Sequence, residues 1–281
     1  MAIEIPSIPL GDWIEGGLDW LTSEYSIVTR AISRVTQTGI DVLNDGLMWL
    51  PEWGLLAIVV GLCWWVANLR LGVGAALGLA LIWNLGLWEP MIETLTLVVI
   101  ATLVAVVIAL PVGIAAALSE RLYKTIMPIL DFMQTMPAFV YLIPAIPFFG
   151  IGSVSAIFAT VIFSMPPAIR FTTLGIRQVP VELIEAADAY GATRSQKLFK
   201  VQLPMSLPTV MAGINQTIML ALSMVVIAAM IGADGLGSEV WRAIQRLRPG
   251  DGFEAGIAVV ILAMLLDRVT QSLRKGRKSK R

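Results

Sequence analysis

Glu185-Ala-Ala-Asp-Ala-Tyr-Gly191, followed after nine residues by Val201-Gln-Leu-Pro204, is a polar, helix-prone stretch between two long uncharged runs. Arg177, Glu182, Glu185, Asp188, Arg194, Lys197 and Lys200 all fall in or beside it. Adjacent helices are usually joined by a few residues, so a charged insert of this size predicts a surface built for another protein. Val179-Pro180 suits a helix start, with proline in the first turn. Leu183, Ile184, Ala187 and Tyr190 recur at helical spacing, while Ala186, Ala187 and Ala189 are small and strongly helix-favouring. Small side chains let such a helix seat deeply in a groove on a partner. Gly191 then permits a turn that other residues resist. A second helix is predicted over about 194–201, with Arg194, Lys197 and Lys200 at polar positions and Leu198, Phe199 and Val201 as anchors. Leu203-Pro204 is expected to end that helix and redirect the chain.

What surrounds this insert is a membrane sequence. Of the 281 residues 57% are hydrophobic and 14% charged, against about 25% charged in soluble domains, and mean hydropathy is +0.80. Uncharged runs occupy 53–69, 71–88, 94–119, 132–169, 201–233 and 255–266. A helix crossing the hydrocarbon core needs about 20 mostly apolar residues. The 132–169 run is too long for one crossing, and Phe149-Gly-Ile-Gly-Ser153 supplies a turn within it. The reading is seven spans, near 54–69, 71–88, 93–118, 126–148, 154–176, 209–232 and 254–272, with Arg70 alone between the first two.

Lys and Arg favour the cytoplasmic side. The tail Arg274-Lys-Gly-Arg-Lys-Ser-Lys-Arg281 therefore places the C-terminus, the 177–200 loop and the 120–124 loop in the cytoplasm. The loops at 89–93 and 232–252 fall outside, against the bias of Arg242, Arg246 and Arg248. Seven spans put the N-terminus outside. Residues 1–53 carry eight acidic and two basic residues, and their apolar positions (Ile27, Val28, Ala31, Ile32, Val35, then Ile40, Val42, Leu43, Leu47) predict one or two amphipathic helices on the outer membrane face. The chain thus divides into an acidic external segment (1–53), two accessory transmembrane helices (54–88), a core (89–272) with its loop at 177–204, and a basic tail (273–281) near anionic lipid.

Several chemistries are excluded. Histidine is absent and Cys63 is the single cysteine, so histidine catalysis, histidine metal ligation and internal disulfides do not apply. No Gly-x-x-x-x-Gly-Lys-Ser/Thr occurs, so ATP chemistry would belong to another polypeptide. The N-terminus lacks the pattern of a cleaved signal peptide.

The spacing of the insert resembles the signature loop of permeases of binding-protein-dependent ATP-binding-cassette transporters, with Val201 where that pattern usually has isoleucine. Four further segments look like the permease of glycine betaine/proline betaine importers: Gln134-Thr-Met-Pro-Ala-Phe-Val-Tyr-Leu-Ile-Pro144, Met165-Pro-Pro-Ala-Ile-Arg170, Leu174-Gly-Ile-Arg-Gln-Val-Pro180 and Asn215-Gln-Thr-Ile-Met-Leu-Ala-Leu-Ser-Met-Val-Val-Ile227. The similarity spans roughly 90–272. It implies an all-α polytopic protein with a type-I-importer-like core in the bacterial inner membrane. The implied partners are a second copy of the chain, two ATPase subunits carrying ATP and Mg, an external solute-binding protein and membrane lipid, with no nucleic acid. It implies no cofactor or metal in this chain and no catalytic residue. Glu185, Ala186, Ala187, Gly191, Leu198, Phe199, Leu203 and Pro204 then become the coupling surface for the ATPase. The implied substrates are compatible solutes such as glycine betaine, proline betaine, choline or carnitine.

Methylated ammonium groups are held by aromatic faces, and carboxylates need hydrogen-bond donors. Phe139, Tyr141 and Phe148 near three prolines, with Asn215 and Gln216 in the sixth span, are the candidate lining of a passage between spans four and six. Aromatic residues in membrane helices also serve packing and lipid contact, and that reading stands beside this one. Gly232-Ala-Asp-Gly-Leu-Gly237 reads as a gate, a docking loop or an ordinary turn. Three rivals remain: an importer of trimethylamine oxide or a sulfonium analogue, an autonomous ion-driven carrier and a membrane-embedded enzyme. The carrier would want a carboxylate deep in the membrane, and Asp131, Arg170 and Asp267 all fall near predicted span ends.

Overall fold

The computed structural model describes residues 9–275; most of the basic tail, 276–281, lies outside the described residues. Every regular element among the described residues is helical. At the centre stand α5 (Trp88–Leu118), α8 (Ser153–Arg177) and α11 (Leu203–Ala228), with α8 packed against both others. Small residues explain the close approach. Ala101, Ala105 and Ala109 of α5 are completely buried. A Cβ on Gly113 would lie 2.7 Å from the Thr172 Cβ, and one on Gly213 would lie 2.6 Å from the Phe171 Cβ. The hydrophobic effect does not drive helices together in lipid, so this packing, with hydrogen bonds such as Thr173 Oγ1 to the Gly113 carbonyl at 3.0 Å, supplies the cohesion.

Among the described residues three helical stretches are long and apolar enough to cross a bilayer: Trp88–Leu118, Ser153–Arg177 and Arg194–Ile231. Two bent pairs bring the count to five if each is one crossing. The expected spans therefore differ in shape. At the first two, α3 (Glu52–Val66) and α4 (Leu69–Asn84) are 15 and 16 residues long, below the usual crossing length. They part at Ala67-Asn68 because the Asn68 side chain caps α4, accepting from Leu71 N–H at 2.9 Å. Arg70 lies inside the first turn of α4. At 10–48 the amphipathic expectation becomes two helices, α1 (Leu10–Glu24) and α2 (Ser26–Met48). Ile27, Val28, Val35 and Val42 are exposed, and α2 bends 97° into α3.

The expected fourth span, 126–148, is broken. Helix α6 (Glu120–Thr135) stops, a 3₁₀ turn covers Ala138–Tyr141, and α7 (Leu142–Phe149) continues after a bend of 110°. Pro137 explains the stop: it drives Met136 into an extended conformation (ψ 135°) and removes the N–H that the Met133 carbonyl would accept. The Tyr141 hydroxyl donates to that carbonyl instead. The predicted turn between the two halves of the 132–169 run is present, with Gly152 N–H bonded to the Ile231 carbonyl at 3.0 Å.

Two outer-loop readings change. Residues 232–252 contain α12 (Leu236–Gln245), and α13 (Pro249–Lys275) starts at Pro249, before the expected 254. The glycine-rich segment is a packed turn: Ala233 and Leu236 are buried, and Leu236 N–H donates to Thr94 Oγ1 on α5 at 2.8 Å. Leu236, Val240 and Ala243 recur at helical spacing, a signal the charges around them obscure.

Candidate coupling element and passage

Helix α9 (Val181–Ala189) starts after Pro180, which occupies the capping position outside the first turn. It ends in a complete Schellman motif: Ala192 N–H reaches the Ala187 carbonyl at 3.0 Å and Gly191 N–H the Asp188 carbonyl at 2.9 Å. Gly191 has φ +74°, which glycine adopts without steric penalty. Two residues on, Thr193 and Gln196 form a reciprocal capping box that opens α10 (Arg194–Lys197). Lys197 Nζ then lies 2.6 Å from Asp188 Oδ1, closing α10 back onto α9. Three local devices thus fix a helix–turn–helix that stands out from the bundle.

Its second half does not end at Leu203-Pro204, as the sequence suggests. The helix runs unbroken from Arg194 to Ile231, with a π-helical turn at Leu198–Gln202 in which Leu203 N–H bonds the Leu198 carbonyl. A proline ring at 204 would collide with the carbonyl four residues earlier in a regular α-helix. The wider turn removes the collision, and π-turns of this kind recur at functional positions. The protruding element and α11 are therefore one rod.

No residue of α9 is buried. Glu185, Ala186, Gly191, Phe199 and Pro204 are exposed, and Ala187 and Leu203 are half-buried. Tyr190 is 93% exposed and Phe199 63%, a large apolar offering for an element that projects from the bundle. Leu198 is buried, so it holds the π-turn against the protein's own helices.

Beside this element α6 is fastened to α8. Arg177 donates to Glu120 at 2.6 Å with its guanidinium 4.1 Å above the Tyr123 ring, and Arg170 pairs with Asp131. All four charged side chains are partly exposed, so the pairs steer geometry more than they stabilise.

The five predicted passage residues have different surroundings. Phe139 and Gln216 are exposed. Tyr141 is buried edge-on to Phe163 with ring centroids 5.6 Å apart. Phe148 adjoins Phe149, which stacks on Phe158 at 4.6 Å. Asn215 Nδ2 donates to Asp267 Oδ1 at 2.9 Å, and Gln271 binds the same carboxylate at 2.8 Å. Asp267 and Gln271 are partners that the sequence argument missed. The signal was there: a lone carboxylate directly after a long apolar run. Among the described residues no group of three or more metal-ligating side chains converges.

Residues 109–275 match the family described as binding-protein-dependent transport system inner membrane component. The chain is 49% identical over 276 residues to the glycine betaine transport system permease protein OpuAB of Bacillus subtilis (strain 168), covering 98% of each chain. It is 44% identical over 277 residues to the glycine betaine/proline betaine transport system permease protein ProW of Escherichia coli (strain K12), covering 97% of this chain and 77% of that one. A chain from inward-facing structures of the MetNI methionine ABC transporter superposes with a TM-score of 0.62 at 25% identity, over 68% of this chain and 95% of that one. A protruding helix–turn–helix continuous with a core helix, in a chain that matches the family over most of its core, makes this protein a member of the binding-protein-dependent transport system inner membrane component family.

Proposed function

We propose that this permease subunit carries glycine betaine or proline betaine into the cell, driven by a separate ATPase that docks on α9 and α10. The names of OpuAB and ProW support that solute class. The observation that carries the mechanism is the single rod from Arg194 to Ile231. A partner that grips Tyr190 and Phe199 from the cytoplasm acts directly on α11, and α11 packs along α8. ATP binding draws two ATPase subunits together, the coupling elements follow, and α8 and α11 tilt to open the passage to the other side. An external binding protein captures the solute and releases it at the opposite face. The N-terminus then lies outside and the C-terminus in the cytoplasm.

The test is ATP turnover by the chain reconstituted in lipid with its ATPase and binding protein, with glycine betaine, proline betaine, choline and trimethylamine oxide added in turn. Stimulation by a betaine, abolished in Gly191→Pro, is the expected result, because proline cannot adopt the φ that residue 191 holds. Stimulation by trimethylamine oxide alone would reassign the solute. Ion-driven uptake by the chain without an ATPase would overturn the mechanism.

A further inference from the structure

We propose that the groove between α12 and α13 is where a second copy of this chain packs, with Leu247 the side chain each copy inserts into the other. The proposal rests on the reading of this chain as a paired permease subunit, and it assigns the surface. The groove encloses about 920 Å³ and is walled by Ile244, Phe253, Ile257, Val260 and Met264. Apolar walls alone mean little on a protein that faces lipid, so the argument lies in three other features.

The first is backbone geometry. Helix α12 ends in the same Schellman pattern as α9: Arg248 N–H reaches the Ala243 carbonyl at 2.9 Å and Leu247 N–H the Ile244 carbonyl at 3.2 Å. Where α9 uses Gly191, α12 uses Leu247, at φ +54°, the only non-glycine positive φ among the described residues. A branched side chain is disfavoured there, yet it stands at the lip of the groove and is 88% exposed. Strain of this kind points to a function for the side chain.

The second is the floor. Gly252 and Gly256 lie one turn apart on α13, the spacing at which membrane helices approach closely. A Cβ on Gly252 would meet Ala243 at 3.3 Å, whereas one on Gly256 would meet nothing within 4 Å. The floor at Gly256 is therefore open to an incoming side chain.

The third is the rim. At the edge of the groove Arg248 pairs with Asp251 at 3.6 Å, and elsewhere on α12 Arg242 pairs with Glu239 at 2.7 Å. A two-fold axis along the membrane normal brings residues of equal depth face to face, so an isologous contact must suit itself. A rim of paired opposite charges does so; a rim of one sign would repel its copy. A water-soluble partner cannot reach Val260 or Met264, which lie in the uncharged 255–266 run. Acyl chains, for their part, require no particular side chain at a strained position.

The test uses the full chain with Cys63→Ala, so that Leu247→Cys is the only thiol. Labelled with a benzophenone maleimide and irradiated in native membranes, it should yield an adduct of two permease chains. Adducts with lipid alone, or with another protein alone, would overturn the proposal. Leu247→Gly, which relieves the backbone while deleting the side chain, should fold at least as well as the parent and self-associate about tenfold more weakly. Unchanged self-association in Leu247→Gly would overturn the surface assignment while leaving the paired reading intact. A purified importer containing one permease copy would instead remove the paired reading on which the proposal stands.

Discussion

Asn215 donates its side-chain amide to the Asp267 carboxylate across 2.9 Å, tying α11 to α13 beside the long apolar run of the latter. Gln271, one turn further along α13, donates to both oxygens of the same carboxylate at 2.8 Å. An ionised carboxylate next to a membrane interior needs such partners, because leaving one donor out strands charge in a poorly solvating place. Asn215→Leu should therefore destabilise the permease by about 1 kcal/mol, read as a lower unfolding midpoint in detergent. Asp267→Asn removes the charge as well as an acceptor and should cost less than Asn215→Leu. Equal losses in the two variants would show that Asn215 acts by packing alone.

Thr193 sits at the joint of the coupling element, where its hydroxyl accepts from Gln196 N–H at 3.3 Å. Thr193→Ala should loosen α10 by about 1 kcal/mol. Amide exchange should rise over 193–202 and remain unchanged in α5 and α8. ATP turnover stimulated by solute should fall more than basal turnover, since the rod would begin one joint later. A uniform rise in exchange across the chain would mean that the capping box supports the whole fold.

Glycine substitutions separate the packed faces from the open ones. A Cβ on Gly213 would lie 2.6 Å from Phe171 and 3.2 Å from the Pro167 carbonyl, whereas one on Gly74 meets nothing within 4 Å. Gly213→Ala should cost about 1–3 kcal/mol through forced separation of α8 and α11. Gly74→Ala, in the middle of α4, should be neutral or stabilise by about 0.5 kcal/mol through helix propensity. Thermal midpoints of the two variants purified side by side decide this; a sensitive Gly74 would show that α4 meets a partner on that face.

The helix–turn–helix at 181–197 is legible in the sequence because its determinants are local. Pro180, the alanines, Gly191 and the charges between 177 and 200 act within a few residues of one another, and the structure uses Gly191 as the sequence implied. What the sequence hid was non-local or compensated. Pro204 reads as a terminator because a proline normally interrupts α-helical geometry, and nothing in its neighbours announces the π-turn that accommodates it. Helix α12 reads as a loop in the sequence because Glu239 and Arg242 fall within its ten residues and Arg246 directly follows, while its apolar face is short. Residue type does not say which partners a side chain takes: the Tyr141 hydroxyl donates to the Met133 carbonyl and Asn215 to Asp267. The Asn215–Asp267 contact joins residues 52 apart in sequence, beyond the reach of any spacing argument.

Tyr141 offers a sharper test of how the α6–α7 bend is maintained. Its hydroxyl donates to the Met133 carbonyl, the group that residue 137 would bond in an unbroken helix and that Pro137 cannot reach. Tyr141→Phe in the parent should cost about 1 kcal/mol, because it leaves a carbonyl unpaired in a poorly hydrated setting. In a Pro137→Ala background the restored N–H can take over that carbonyl, and Tyr141→Phe should then cost less by at least about 0.5 kcal/mol, the scale at which neighbouring substitutions couple. Four unfolding midpoints measured in one lipid mixture complete the cycle. Strict additivity would mean that Tyr141 contributes only its ring, packed edge-on to Phe163, and that the bend is held by Pro137 alone.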